Sequence, residues 1–195
     1  MTKHRLEMFS DGVFAIVITI LILNIHLPEN TSTQHLGEAL KALFPDILAY
    51  VTSFILIGLY WIAHHTSFHH IHKVNGVLLW LNMLLLLFVS FMPFPASLLG
   101  KYPTEPVPLM IYGINLMAAN LVAFLMTWYT CYHPELLTEP FLLKDFRKQF
   151  PIYIFVNGSY LAAIIMAPFL PTVSYIIYIL IAWILVFYYG KMGVK

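Results

Sequence analysis

The sequence predicts an all-α integral membrane protein, a single domain over residues 1–195 with six transmembrane helices. Three observations predict it. The chain is 61% hydrophobic and 10% charged, where a soluble domain carries roughly a quarter charged residues. Its mean hydropathy is +0.82. Six apolar windows, near residues 8–27, 43–64, 76–98, 107–131, 150–170 and 172–190, are each long enough to cross about 30 Å of hydrocarbon, which takes roughly 20 residues.

The first window is apolar without a break from Val13 to Leu23, yet it opens with Arg5, Glu7, Ser10 and Asp11. A carboxylate at a membrane helix centre costs ~2.5–3.5 kcal/mol, and less near the interface, so Asp11 needs a partner elsewhere in the fold. An interfacial helix start explains the same residues, with Ser10 and Asp11 as caps at the positive end of the dipole and Arg5 reaching headgroups. At about 100° per residue, Ile16, Ile20 and Leu23 project roughly 120–180° away from Asp11, with Thr19 on a flank. The two faces therefore meet different neighbours. If one meets the protein's own helices, the other is free to meet symmetry mates or line a path. No small-x-small cleavage site marks the run as a signal peptide.

The second window ends in Trp61-Ile62-Ala63-His64-His65, and five histidines fall in nine residues. His65, His69 and His72 share a face if the helix continues, which is compatible with a metal or haem site in a membrane redox or metal-binding protein. No cysteine or carboxylate set completes such a site, so no metal is assigned. His64, one turn inside Trp61, is placed to reach Asp11. The third window, opened by Asn75-Gly76, holds Asn82, an amide at membrane depth that bonds to another helix, either as local glue or as part of a network with Asp11 and His64. Prolines between 103 and 108, between 134 and 140, and at Pro171 punctuate the remaining windows. Thr172-Val173-Ser174-Tyr175 lacks the glycines of a carbonyl filter and reads as a helix start. The connections hold two short amphipathic pieces, HLGEALKALF and FLLKDFRKQF, suited to the interface.

With six spans, one side collects Lys3, Arg5, Lys73, Lys144, Arg147, Lys148, Lys191 and Lys195, and the other only Lys41 and Lys101. Both termini are therefore expected in the cytoplasm. Net charge of +1 offers nothing to nucleic acid, and the single Cys131 forms no intrachain disulfide. No phosphate loop, HExxH or nucleophile elbow is present, so no catalytic residue is assigned. No repeat divides the chain in two, which lowers the case for a small secondary transporter.

Arg5-x-x-x-Phe9-Ser10-Asp11 followed by Ala15-Ile16 and Thr19, with Trp61-x-x-His64, Phe68, Asn82 and Pro93-Phe94 downstream, resembles the transmembrane-protein-175 potassium channel family in its single six-helix repeat form. The motifs cover Arg5 to about Phe94; the last three helices carry none. The resemblance implies a homotetramer in the cell membrane whose first helices line one pore for monovalent cations, with permeant potassium and no cofactor. It implies that Ile16, Ile20 and Leu23 form the constriction, that Thr19 bears on potassium preference, and that Trp61, His64 and Asn82 hold Ser10 and Asp11.

Overall fold

The structure, a computed structural model, describes residues 2–27, 35–138 and 143–192, with side chains except at 143–149 and 192. The side chains of Lys144, Arg147 and Lys148, and Lys195, which entered the charge count, lie outside the described residues, as does most of FLLKDFRKQF.

The described residues form eight α-helices: α1 Lys3–Ile20, α2 Leu36–Ala42, α3 Phe44–His69, α4 Gly76–Phe91, α5 Pro93–Lys101, α6 Pro106–Cys131, α7 Leu143–Met166 and α8 Pro171–Met192. Among them there is no strand, only an isolated bridge between Ile71 and Leu137. Five segments are long and apolar enough to cross a membrane: Lys3–Asn24, Phe44–His69, Gly76–Lys101, Pro106–Cys131 and Pro171–Lys191. The fifth expected span is a shorter apolar stretch, Phe150–Met166.

Helix boundaries differ from the expected windows for local reasons. The first helix begins at Lys3, five residues before the window at 8, because Lys3 Nζ pairs with Glu7 Oε1 across one turn at 3.5 Å and supports the opening turn. Its far end tightens into a 3-10 turn over Leu21–Asn24. The second span runs to His69, five residues past the expected 64. Its 26 residues rise about 39 Å, so the histidine-bearing end extends beyond the hydrocarbon thickness. The third window splits. Pro93 and Pro95 withhold the N–H groups that the carbonyls of Val89 and Phe91 would bond in a helix, and the Met92 N–H turns to Val89 O at 3.1 Å. At its start, Asn75 Oδ1 caps α4 by accepting from the Leu78 N–H at 3.0 Å, while its amide donates to Tyr129 OH at 2.8 Å. α7 stops at Met166, where Pro168 disfavours helical geometry at Ala167, and Pro171 opens α8 at its first position.

The core lies among α3, α6, α7 and α8, where Tyr112, Tyr160 and Tyr178 are fully buried. Hydroxyls at this depth need partners because no water supplies them. Tyr178 donates to Leu109 O at 2.9 Å, Tyr112 pairs with Ser53 Oγ at 2.9 Å, and Tyr60 donates to Leu116 O at 2.8 Å. Gly113 lets α6 and α8 approach: a Cβ there would collide with the Tyr178 hydroxyl and lie 2.7 Å from Ile164. At one end, the α3–α4 and α6–α7 connections are laced together, His72 N–H to Leu136 O at 2.6 Å and Thr138 N–H to His70 O at 2.9 Å. The antiparallel order puts Lys3, Arg5, Lys73 and Lys191 at that same end, with Lys101 at the other. The first helix is peripheral, resting on α3 and α4 with its far end against α5.

Candidate functional site: the first helix and the clamp behind it

Two faces of α1 behave differently. Leu6, Ser10, Phe14, Val17 and Leu21 are all at most 3% exposed and form one stripe against α3 and α4. Away from that stripe, Ile16 is 61% exposed, Leu23 65% and Ile20 38%, and Thr19 is exposed with them. Phe9 and Arg5 are also on this open side, about two and three turns toward the N-terminus in the same i, i+4, i+7, i+11 row that leads to Ile16. Among the described residues neither joins the polar network, and Arg5 has no hydrogen-bonding or ionic partner.

The buried face is held by a directed chain of hydrogen bonds. Asn82 Oδ1 can only accept, so the His64 Nε2 at 2.8 Å carries the proton. The Asn82 amide donates to Ser10 Oγ at 3.1 Å, and Ser10 donates to its own helix at Leu6 O, 2.9 Å away. Three helices are thereby tied at one level, with Ser10 and Asn82 fully buried and His64 5% exposed. The imidazole stacks on Phe68 with centroids 4.2 Å apart, and Phe14 of α1 approaches it at 5.7 Å. Aromatic packing therefore fixes the ring that the amide needs.

Asp11 stands outside this chain. The expected His64–Asp11 contact does not form: His64 bonds Asn82, and the Asp11 Oδ1 accepts from Trp61 Nε1 at 2.9 Å. The reason is angular. One residue on from buried Ser10 turns the side chain by about 100°, onto a flank where Trp61, 40% exposed, meets it. The carboxylate thus stays at the chain's surface and avoids the cost of burial.

Thr19 donates its hydroxyl proton to Ile16 O at 2.8 Å, with Ala15 O at 2.9 Å, so its oxygen lone pairs are what it offers outward. At the far end of the helix, Asn24 donates its amide to Pro93 O at 3.2 Å, tying α1 to the α4–α5 break. Sequence reasoning missed Asn24; an amide one turn before Pro28 was the available signal. The supposed face of His65, His69 and His72 does not exist. The helix ends at His69, and His72 lies in the laced connection that follows. Among the described residues no group of three His, Cys, Asp or Glu side chains could hold a metal.

Residues 5–93 match the family described as "Endosomal/lysosomal potassium channel TMEM175". A potassium channel of Chryseobacterium sp. (strain P1-3) is 43% identical over 121 residues, 62% of this chain and 61% of that protein. The endosomal/lysosomal proton channel TMEM175 of Gallus gallus is 28% identical over 193 residues, 95% of this chain and 38% of that protein. The chain therefore aligns with less than two thirds of the length of either relative. The crystal structure of a lysosomal potassium-selective channel TMEM175 homolog from Chamaesiphon minutus superposes with a TM-score of 0.83 at 28% identity, covering 95% of this chain and 96% of that one. The family match spans the clamped first helix, with Ser10, Asp11, Trp61, His64 and Asn82 inside the matched stretch. Over residues 5–93 the chain matches the TMEM175 family, and its fold is that of a TMEM175 homolog.

Proposed function

We propose that the chain is the subunit of a potassium channel in the cell membrane, a homotetramer of six-span subunits in which four copies of α1 line one pore. The observation that carries this reading is the asymmetry of α1: one face is clamped to α3 and α4, while the face bearing Ile16, Ile20 and Leu23 is open. Those residues make the constriction. A potassium ion cannot shed its water against their methyl groups at tolerable cost, so the pore conducts only when widened enough to wet. Thr19 presents lone pairs between the apolar rings and is the polar group placed to favour potassium. Ser10, Asp11, Trp61, His64 and Asn82 hold the inner end of α1 and act in assembly and gating, without touching the ion. Arg5 and Phe9 lie at the inner mouth on the pore side. Phe150–Met166 supplies the fifth of the six spans, both termini are cytoplasmic, and the surroundings are lipid. The permeant ion is the only small species required; no cofactor, metal or catalytic step is invoked.

The relatives' names divide between potassium and proton, so the test must separate ions. Purified protein in liposomes is expected to pass potassium faster than sodium, with the potassium current exceeding any proton flux at neutral pH. Flux equal to protein-free liposomes removes the channel reading, and proton flux alone reassigns the ion.

A further inference from the structure

The two ends of α1 are held differently. Toward the N-terminus the helix is locked by the buried chain of Ser10, Asn82 and His64. Its far end is the 3-10 turn Leu21–Asn24, after which the backbone runs extended at Ile25. Hydrogen-bond geometry is poorer in such a turn than in the α-helix it finishes. Among the described residues, one side-chain hydrogen bond joins that turn to another helix: the Asn24 amide donates to Pro93 O at 3.2 Å. The residue just before it is Leu23, 65% exposed on the open face.

The acceptor is itself anchored. Pro93 is the first residue of α5, directly after the break at Met92. A continuing helix would give the Met92 N–H to Phe88 O; it turns instead to Val89 O at 3.1 Å and leaves the Phe88 carbonyl without its helical donor. Asn115 of α6 supplies the replacement, its amide donating to Phe88 O at 3.0 Å with the Met92 sulfur 3.7 Å away. Asn115 is 4% exposed, and among the described residues its Oδ1 accepts from nothing, so its side chain acts through the donor alone. One amide from α1 and one from α6 therefore meet at the same corner, and α6 lies in the core against α7 and α8. Through Asn24, the corner and Asn115, the far end of α1 is held to the fixed part of the subunit.

We propose that Asn24 is a positioning residue for the pore: it seats the far end of α1 against α5 and so sets the bore at the Leu23 ring, a role that rests on α1 lining the channel. The direction of its effect follows from the way α1 faces. Its own subunit lies behind it, and the Leu23 side chains of the other three copies lie in front. Four leucines lower their free energy by closing on one another and excluding water. The Asn24 tether opposes that collapse.

The test pairs potassium flux in liposomes with backbone hydrogen exchange of the same protein in detergent. Asn24→Leu keeps the size of the side chain and removes its donor. It is expected to lower potassium flux about threefold, the worth of one interhelical hydrogen bond of average strength in a membrane. Exchange is expected to quicken over residues 21–27 and to stay unchanged over residues 6–17. Asn24→Gln, which keeps an amide donor, is expected to restore flux. In a Leu23→Asn background the ring is polar and stays wet, so adding Asn24→Leu is expected to leave flux unchanged, whereas a general loss of fold or assembly would lower it threefold there too. A parent protein that passes no potassium overturns the channel reading and this role with it. With a conducting parent, any of three results overturns the role of Asn24 alone: flux unaltered by Asn24→Leu, flux as low in Asn24→Gln as in Asn24→Leu, or the same threefold loss in the Leu23→Asn background.

Discussion

Replacing Ile16 with Asn is expected to raise potassium flux through the reconstituted protein by about tenfold or more, equivalent to lowering the barrier by ~1.4 kcal/mol. The side chain is 61% exposed in the single chain and lies outside the buried stripe of α1, so the substitution is expected to leave the subunit's fold intact. In a ring of four it exchanges methyl groups for amides, which hold water in the bottleneck that methyl groups dry. Leu23→Asn acts in the same direction, and Val17→Asn does not, because Val17 is 3% exposed on the opposite face and its polar replacement destabilises the subunit instead. A potassium flux unchanged in Ile16→Asn would place the constriction elsewhere.

The second large effect is on stability. Asn82→Leu strands the His64 Nε2 proton and removes the donor to Ser10, two contacts across three helices. Interhelical bonds in membranes average about 0.6 kcal/mol and reach about 1.7, and an orphaned buried donor costs roughly 1–3 kcal/mol, so a loss of ~2 kcal/mol is expected. Denaturant unfolding in detergent micelles measures it, and a double-mutant cycle with Ser10→Ala should show coupling, since the two share one hydrogen bond. Asp11→Ala should cost less in the isolated subunit, because the Asp11–Trp61 bond is exposed. If Asn82→Leu left stability untouched while changing potassium-to-sodium preference, the clamp would have to be reassigned to the ion path.

Much of this arrangement was legible in the chain. The membrane class followed from composition, and five of six windows appear as helices of spanning length and apolarity. The division of α1 into two faces followed from helical pitch alone, as Ile16, Ile20 and Leu23 are all open and Ser10 is buried. What could not be read was pairing. Whether His64 meets Asp11 or Asn82 depends on the rotation and axial offset of three helices, and a shift of one turn, about 5.4 Å, exchanges the partners. The break at Met92 was not read: the third window was taken as continuous over 76–98, and a helix resuming at once after Pro93 depends on α5 packing against α3 and α6. Asn24 escaped because its acceptor, Pro93 O, exists only once the α4–α5 corner is built. The histidine face was proposed on a continuing helix, and the laced connection with Leu136 ends that helix first.

The open face of α1 can be tested residue by residue, since the native Cys131 is buried and gives little background. Single cysteines at positions 16, 17, 20, 21 and 23 should be treated with a water-borne, positively charged thiol reagent while potassium flux is followed in liposomes. Modification is expected to block flux at Ile16→Cys, Ile20→Cys and Leu23→Cys and to leave Val17→Cys and Leu21→Cys unaffected. Block at 17 and 21 with none at 16 and 23 would mean that the helix presents its other face to the ions, and the account of α1 as the pore wall would fail.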